Sequence, residues 1–147
     1  MKIAFSNDHA GAPARELLLG KIRALGHEVL DFGTPSADAP VDYPDVAAAA
    51  VNAMLKGDAE RAILVCGSGI GMSIAANKFP GVRCALVTDL YGAELSRRHN
   101  DANCLALRAR EQSMALNERI LEVWLSTPFD GGRHQQRVDK IHGNSGK

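Results

Sequence analysis

Cys66 stands where a reactive side chain meets backbone suited to receive negative charge. An apolar run over 62–65 leads into Cys66, glycines follow at alternate positions (Gly67, Gly69, Gly71), and apolar residues then recur at helical spacing. That order predicts a strand, a tight loop and a helix, with a thiol at the turn. A thiolate can serve as nucleophile or base, the start of a helix favours it, and exposed N–H groups there favour anions. The loop is not a P-loop, because no Gly-Lys-Ser/Thr follows, and Met72 stands where a dinucleotide fingerprint needs its third glycine. The bland alternative for Cys66 is a buried thiol that fills space at a strand end. For Cys84 and Cys104, inside predicted strands, that core reading is preferred.

Three further groups carry usable chemistry. Asp8 and His9 follow the first apolar run, so in a parallel sheet they reach the same edge as Cys66; they could equally be a turn that caps the next helix. His99 and Asn100 end a predicted helix, where both types are ordinary caps and where the dipole favours a charged histidine, the form a general acid requires. Arg133 and Arg137, four apart after Gly131-Gly132, share one helix face. They are either a solvated basic patch or a phosphate clamp, in which each charge-assisted hydrogen bond contributes about 1.5–3 kcal/mol. The five histidines show no HExxH or similar spacing, so no metal site is expected.

The elements that must hold these residues are legible as an alternation. Strands are predicted over 2–6, 27–32, 62–66, 82–87 and 104–107. Helices are predicted over 14–25, stopped by Gly26; 46–56, stopped by Gly57; after the glycine loop; over 90–98, capped by Thr88-Asp89; over 110–125; and over 133–141. Residues 33–44, with three prolines, read as a long irregular loop, and 142–147 as a loose tail. Five strands alternating with helices predict one α/β domain over 1–141. It is a Rossmann-like three-layer sandwich with a parallel sheet and helices on both faces.

Composition sets the outer limits. A chain of 147 residues, 46% hydrophobic, suits a single domain with a real core. Seventeen basic and seventeen acidic side chains balance, which argues against a broad surface for nucleic acid or anionic membrane, so any anion site must be local. No run suits a signal peptide or a membrane span, and three cysteines without a CxxC pair suit a reducing compartment; a soluble cytoplasmic protein is expected.

Taken together, the motifs resemble ribose-5-phosphate isomerase B, within the wider group that includes galactose-6-phosphate isomerase subunits. The resemblance rests on Asp8-His9, Asp42-Tyr43-Pro44, the Cys66-Gly67-Ser68-Gly69-Ile70-Gly71 turn and Ala75-Ala76-Asn77-Lys78. It continues through residues 96–103 (SRRHNDAN) and 131–137 (GGRHQQR). It implies a cofactor-independent interconversion of an aldose phosphate and its ketose through an enediolate, with ribose 5-phosphate as the expected substrate. Under it Cys66 is the base, and the amides of Gly67, Ser68, Gly69, Ile70 and Gly71 receive the oxyanion. His99 opens the sugar ring and Asn100 holds a hydroxyl. His9, Arg110, Arg133 and Arg137 hold the phosphate, while Asp8 and Tyr43 complete the substrate contacts. Some relatives use a carboxylate further along the loop as base; here that position is Ala75, leaving Cys66.

The resemblance also implies a homodimer, or a tetramer, whose site is shared so that Cys66 and His99 come from different subunits. Alternatives are an isomerase of another phosphorylated sugar (tetrose, allose or galactose phosphate), a non-catalytic sugar-phosphate-binding module, or a subunit that needs a different partner chain. Cys66, His99 and both arginines in one chain argue against the last.

Overall fold

A computed structural model describes residues 1–144. Five strands, β1 (Lys2–Asn7), β2 (Glu28–Asp31), β3 (Arg61–Cys66), β4 (Cys84–Leu86) and β5 (Cys104–Arg108), form one parallel sheet in the order β2-β1-β3-β5-β4. Among the described residues the helices are α1 (Ala12–Ala24), α2 (Tyr43–Leu55), α3 (Ile70–Ala76), α4 (Leu90–Arg98), α5 (Met114–Ser126) and α6 (Arg133–Gly143). The expected three-layer α/β architecture is the observed one. None of these helices is long and apolar enough to cross a membrane.

Strand alternation divides the core in two. Ile3, Phe5, Ile63, Val65, Leu105 and Leu107 face α1, α4 and α5, where Leu18, Ile22, Ile120, Leu121 and Trp124 are fully buried. The opposite positions are mostly small: Ala4, Ala62, Leu64, Cys66, Cys104 and Ala106 face α2 and α3. Against this low surface the alanine-rich α2 lays Ala47, Ala50 and Val51, all fully buried. Small side chains on both partners let the helix approach closely, and Cys66 is the last residue on that face of β3.

Several boundaries differ from the expectation, each for a local reason. α2 begins at Tyr43, inside the predicted loop, because Pro44 occupies the first turn, where its missing N–H costs nothing. α5 begins at Met114 and not at 110: Ser113 caps it by accepting a hydrogen bond from Leu116 N at 3.2 Å, so Arg110 lies on the loop after β5. β4 keeps only the middle of the predicted strand. Gly26 (φ 89°) and Gly57 (φ 86°) end α1 and α2 as expected, and Asp89 caps α4 through Gly92 N. α6 continues to Gly143, so His142 and Gly143 are helical and Asn144 caps the end; residues 145–147 of the predicted tail lie outside the described residues.

Candidate active site

The order β2-β1-β3 means that the chain leaves β1 in one direction and β2 in the other. That reversal opens a crevice beyond the carboxyl ends of β1 and β3. Asp8 N–H donates to Val65 O at 3.2 Å, which ties the end of β1 to the residue before Cys66. The resulting cleft, of about 470 Å³, is lined among others by Asp8, Tyr43, Cys66, Ser68, Arg108 and Arg110. Asp8 is buried and accepts from Gly11 N at 2.9 Å, so it closes a turn and faces the cleft at once. His9 lies outside the lining; Val41 N–H lies 3.3 Å from its Nδ1, which ties the loop after β2 to the end of β1.

The three glycines each clear a different neighbour. Gly69 adopts φ 77°, a conformation that disfavours any side chain, and its N–H donates to Cys66 Sγ at 3.1 Å. A Cβ on Gly67 would stand 3.3 Å from Arg110 Nη1, and one on Gly71 would stand 2.8 Å from the Tyr43 ring. The loop therefore seats a guanidinium and a phenol as well as turning the chain. Ser68 Oγ accepts from Ile70 N at 3.2 Å. Two of the five loop amides, Gly69 and Ile70, are thus already committed within the loop. Arg110 N–H donates to Gly67 O at 3.1 Å, while its side chain makes no hydrogen bond or ion pair among the described residues.

His99, Asn100, Arg133 and Arg137 do not line this cleft. His99 caps the end of α4, and its ring stacks on His134 of α6 with centroids 4.2 Å apart and planes 12° apart. Asn100 lines a separate cleft with Arg83 and Cys84. Gly131 (φ 66°) and Gly132 (φ 53°) turn the chain into α6, whose His134 and Val138 point inward. Arg133 and Arg137 are exposed and make no hydrogen bond or ion pair among the described residues.

Asp130 completes this second cluster. Arg98 Nε donates to both of its carboxylate oxygens, at 3.2 and 3.1 Å, and this hydrogen bond holds the carboxyl below the usual range. Burial, then the charges of His99, Arg133 and Arg137, push His134 below the ordinary histidine value against the opposing pull of Asp130. His99, Asp130 and His134 bring ligand-type atoms within 4.8 Å of one another, a grouping that no sequence spacing announced. Its surroundings suit an anion better than a divalent cation, because the one carboxylate is already paired with Arg98 and two more arginines stand beside it.

Sequence reasoning missed Arg108 and Glu111 in the Cys66 cleft and His134 as the partner of His99. Arg108 depends on the register between β3 and β5, which is a tertiary fact. His134 could have been suspected from the inward pair it forms with Val138, four residues on.

An open, doubly wound α/β domain with a thiol at its topological switch point, and with arginines there that make no ion pair among the described residues, has the form of a site for small anionic substrates. The chain belongs to the ribose/galactose isomerase family, whose profile matches residues 3–141. It is 43% identical over 140 residues to ribose-5-phosphate isomerase B of Escherichia coli, covering 95% of this chain and 93% of that one. A putative sugar phosphate isomerase of Bacillus subtilis is 43% identical over 141 residues, covering 96% and 95%. The solved ribose-5-phosphate isomerase B of Clostridium thermocellum superposes with a TM-score of 0.94 at 44% identity, covering 97% and 96%. The type B enzyme of Trypanosoma brucei gives 0.93 at 44% identity, covering 97% of each chain.

Proposed function

We propose that this chain is an aldose–ketose isomerase acting on ribose 5-phosphate and ribulose 5-phosphate, with Cys66 as the base. The observation that carries the reading is the placement of the Cys66 sulfur, held by Gly69 N–H in a cleft that also presents Asp8 and two arginines. Cys66 as thiolate takes the proton from C2 of the open-chain aldose, and the C–H electrons form the enediolate, leaving negative charge on O1. A proton passes from O2 to O1; the O2 electrons then close the C2=O bond while C1 takes the proton back from the Cys66 thiol, which gives the ketose and restores the thiolate. The uncommitted loop amides, Asp8 and Tyr43 hold the sugar end, and Arg110 holds the phosphate with His9. No cofactor takes part in these steps.

The working unit in this proposal is a homodimer with shared sites. Among the described residues no histidine lines the Cys66 cleft, whereas His99, Arg133 and Arg137 form a cationic cluster away from it. A second copy that brings this cluster to the cleft completes both. Ile70 and Ile74, one turn apart on α3 and 52% and 56% exposed, supply apolar surface for the contact, and Leu86 beside Gly69 extends it. The three free thiols fit a cytoplasmic setting.

The purified chain should isomerise ribose 5-phosphate in deuterated water with isotope uptake at the reacting carbon. Cys66→Ala should still be stabilised thermally by the sugar phosphate while exchange and turnover fall by about 100- to 10,000-fold. Stabilisation of the wild type without any exchange would replace the isomerase by a sensor. A tetrose, pentose and hexose phosphate panel, run the same way, identifies the substrate by the largest kcat/KM.

A further inference from the structure

We propose that Arg108 is a catalytic residue of this site, donating from its unpaired guanidinium edge to the oxygen on which charge develops as Cys66 removes the proton. The inference rests on the isomerase reading above.

Register places it. Arg108 of β5 is the direct partner of Cys66 of β3. Paired residues of neighbouring parallel strands project from the same face of the sheet, about 4.7–4.9 Å apart. The alternation agrees: Cys104 and Ala106 pack with Ala62 and Leu64 on the α2 side, and Arg108 continues the first series as Cys66 continues the second. Arg108 also lines the Cys66 cleft.

Its side chain is held at one end and free at the other. Nε donates to Gln112 Oε1 at 2.9 Å, Gln112 Nε2 donates to Asn117 Oδ1, and Asn117 Nδ2 donates to Arg108 O at 3.0 Å. Asn117 is fully buried, so this closed ring of hydrogen bonds is anchored in α5. The two terminal nitrogens make no hydrogen bond or ion pair among the described residues, and Glu111, which lines the same cleft, forms no ion pair with them. A guanidinium positioned through Nε and left with its outer fork open is prepared to receive an oxyanion.

The loop creates the need for such a donor. With Gly69 N–H on the Cys66 sulfur and Ile70 N–H on Ser68 Oγ, two of the amides expected to stabilise the enediolate are spent inside the loop. A fixed cation beside the base supplies charge stabilisation that those amides do not, and it requires no reorganisation as charge appears.

The test compares wild type, Arg108→Gln, Arg108→Lys and Gln112→Ala for isomerisation of ribose 5-phosphate, deuterium exchange and thermal midpoint. Arg108→Gln should lower kcat about 100-fold, the scale of a lost oxyanion donor, while KM moves less than about threefold. Arg108→Lys keeps the charge without the fork and should recover part of the loss. Gln112→Ala keeps the guanidinium but releases it, and should fall between wild type and Arg108→Gln. Wild-type kcat in Arg108→Gln, or a loss confined to KM, overturns the assignment. If Arg108→Gln does not fold, wild-type kcat in both other variants does the same. A wild type that does not isomerise removes the isomerase reading and this inference together, whereas an active wild type with an unaffected Arg108→Gln removes the inference alone.

Discussion

A protonated His134 would stand in an already cationic corner. Burial disfavours the charge, His99 lies stacked against the ring, and Arg133 and Arg137 add to the positive field, with only Asp130 opposing. The folded state therefore holds His134 below its ordinary value of 6.5, so between the lowered value and about 6.5 the unfolded chain binds more protons. Stability from this residue is complete above that window and is lost as pH falls through it. Asp130, held below 3.8 by Arg98, acts in a separate range: its contribution is present above 3.8 and lost as pH falls through its folded value. The thermal midpoint should thus decline on acidification from about pH 7.5 to 5.5, and His134→Gln should flatten that slope. A residual slope should persist from His27, which burial, the Met1 amino group and Arg61 also push down. An unchanged slope in His134→Gln would show that the corner does not resist protonation. In the proposed reaction the same residue has a second part, because its ring stacks on that of His99, the side chain assigned there to open the sugar ring.

At the scale of elements, the site depends on how closely α2 lies on the sheet. Ala47 and Ala50 pack in one buried cluster with Ala4 and Ala62 and have no exposed surface, and the helix begins at Tyr43, whose ring covers Gly71. Ala50→Leu adds three carbons where both surfaces are already small. It should cost about 1–3 kcal/mol in urea unfolding, and it should also raise KM by displacing Tyr43. A variant that loses stability with an unaltered KM would separate the helix seat from the cleft. This close seat explains what could be read in advance and what could not. The alternation of strands and helices, the turn at Cys66 and the stops at Gly26 and Gly57 are written in local periodicity and glycine chemistry. The start of α2 is hidden by Pro44, which marks a loop in one context and a first helical turn in another. Arg110 is drawn into a predicted helix because the apolar pattern of α5 has no visible edge, although Ser113 provides the cap. The pairing of Arg108 with Cys66, and of His99 with His134, requires strand order and helix docking, which no single segment encodes.

Across the whole molecule, the groups the proposed reaction needs fall into two sets that one chain keeps apart. Cys66, Asp8, Tyr43, Arg108 and Arg110 surround the switch-point cleft, whereas His99 and His134 meet where α4 ends and α6 begins, with Arg133 and Arg137 exposed beside them. If each set completes the other across a two-fold axis, every site takes its base from one subunit and its ring-opening acid from the other. Two variants then distinguish the arrangements without any structure of the assembly. Cys66→Ala and His99→Asn homodimers should each turn over the cyclic sugar phosphate poorly, because both sites of each dimer lack one group. In a hybrid dimer carrying one subunit of each kind, the sites are no longer equivalent. One brings the two substitutions together and has lost both groups, while the other combines an intact Cys66 with an intact His99. Hybrids isolated through two different affinity tags should therefore regain about half of the wild-type activity per dimer. If base and acid belong to the same chain, both sites of the hybrid keep one defect each, and activity stays at the level of the parent variants. The recovered fraction at protein concentrations above and below dimer dissociation further separates the arrangements, since a shared site must lose activity as the dimer comes apart.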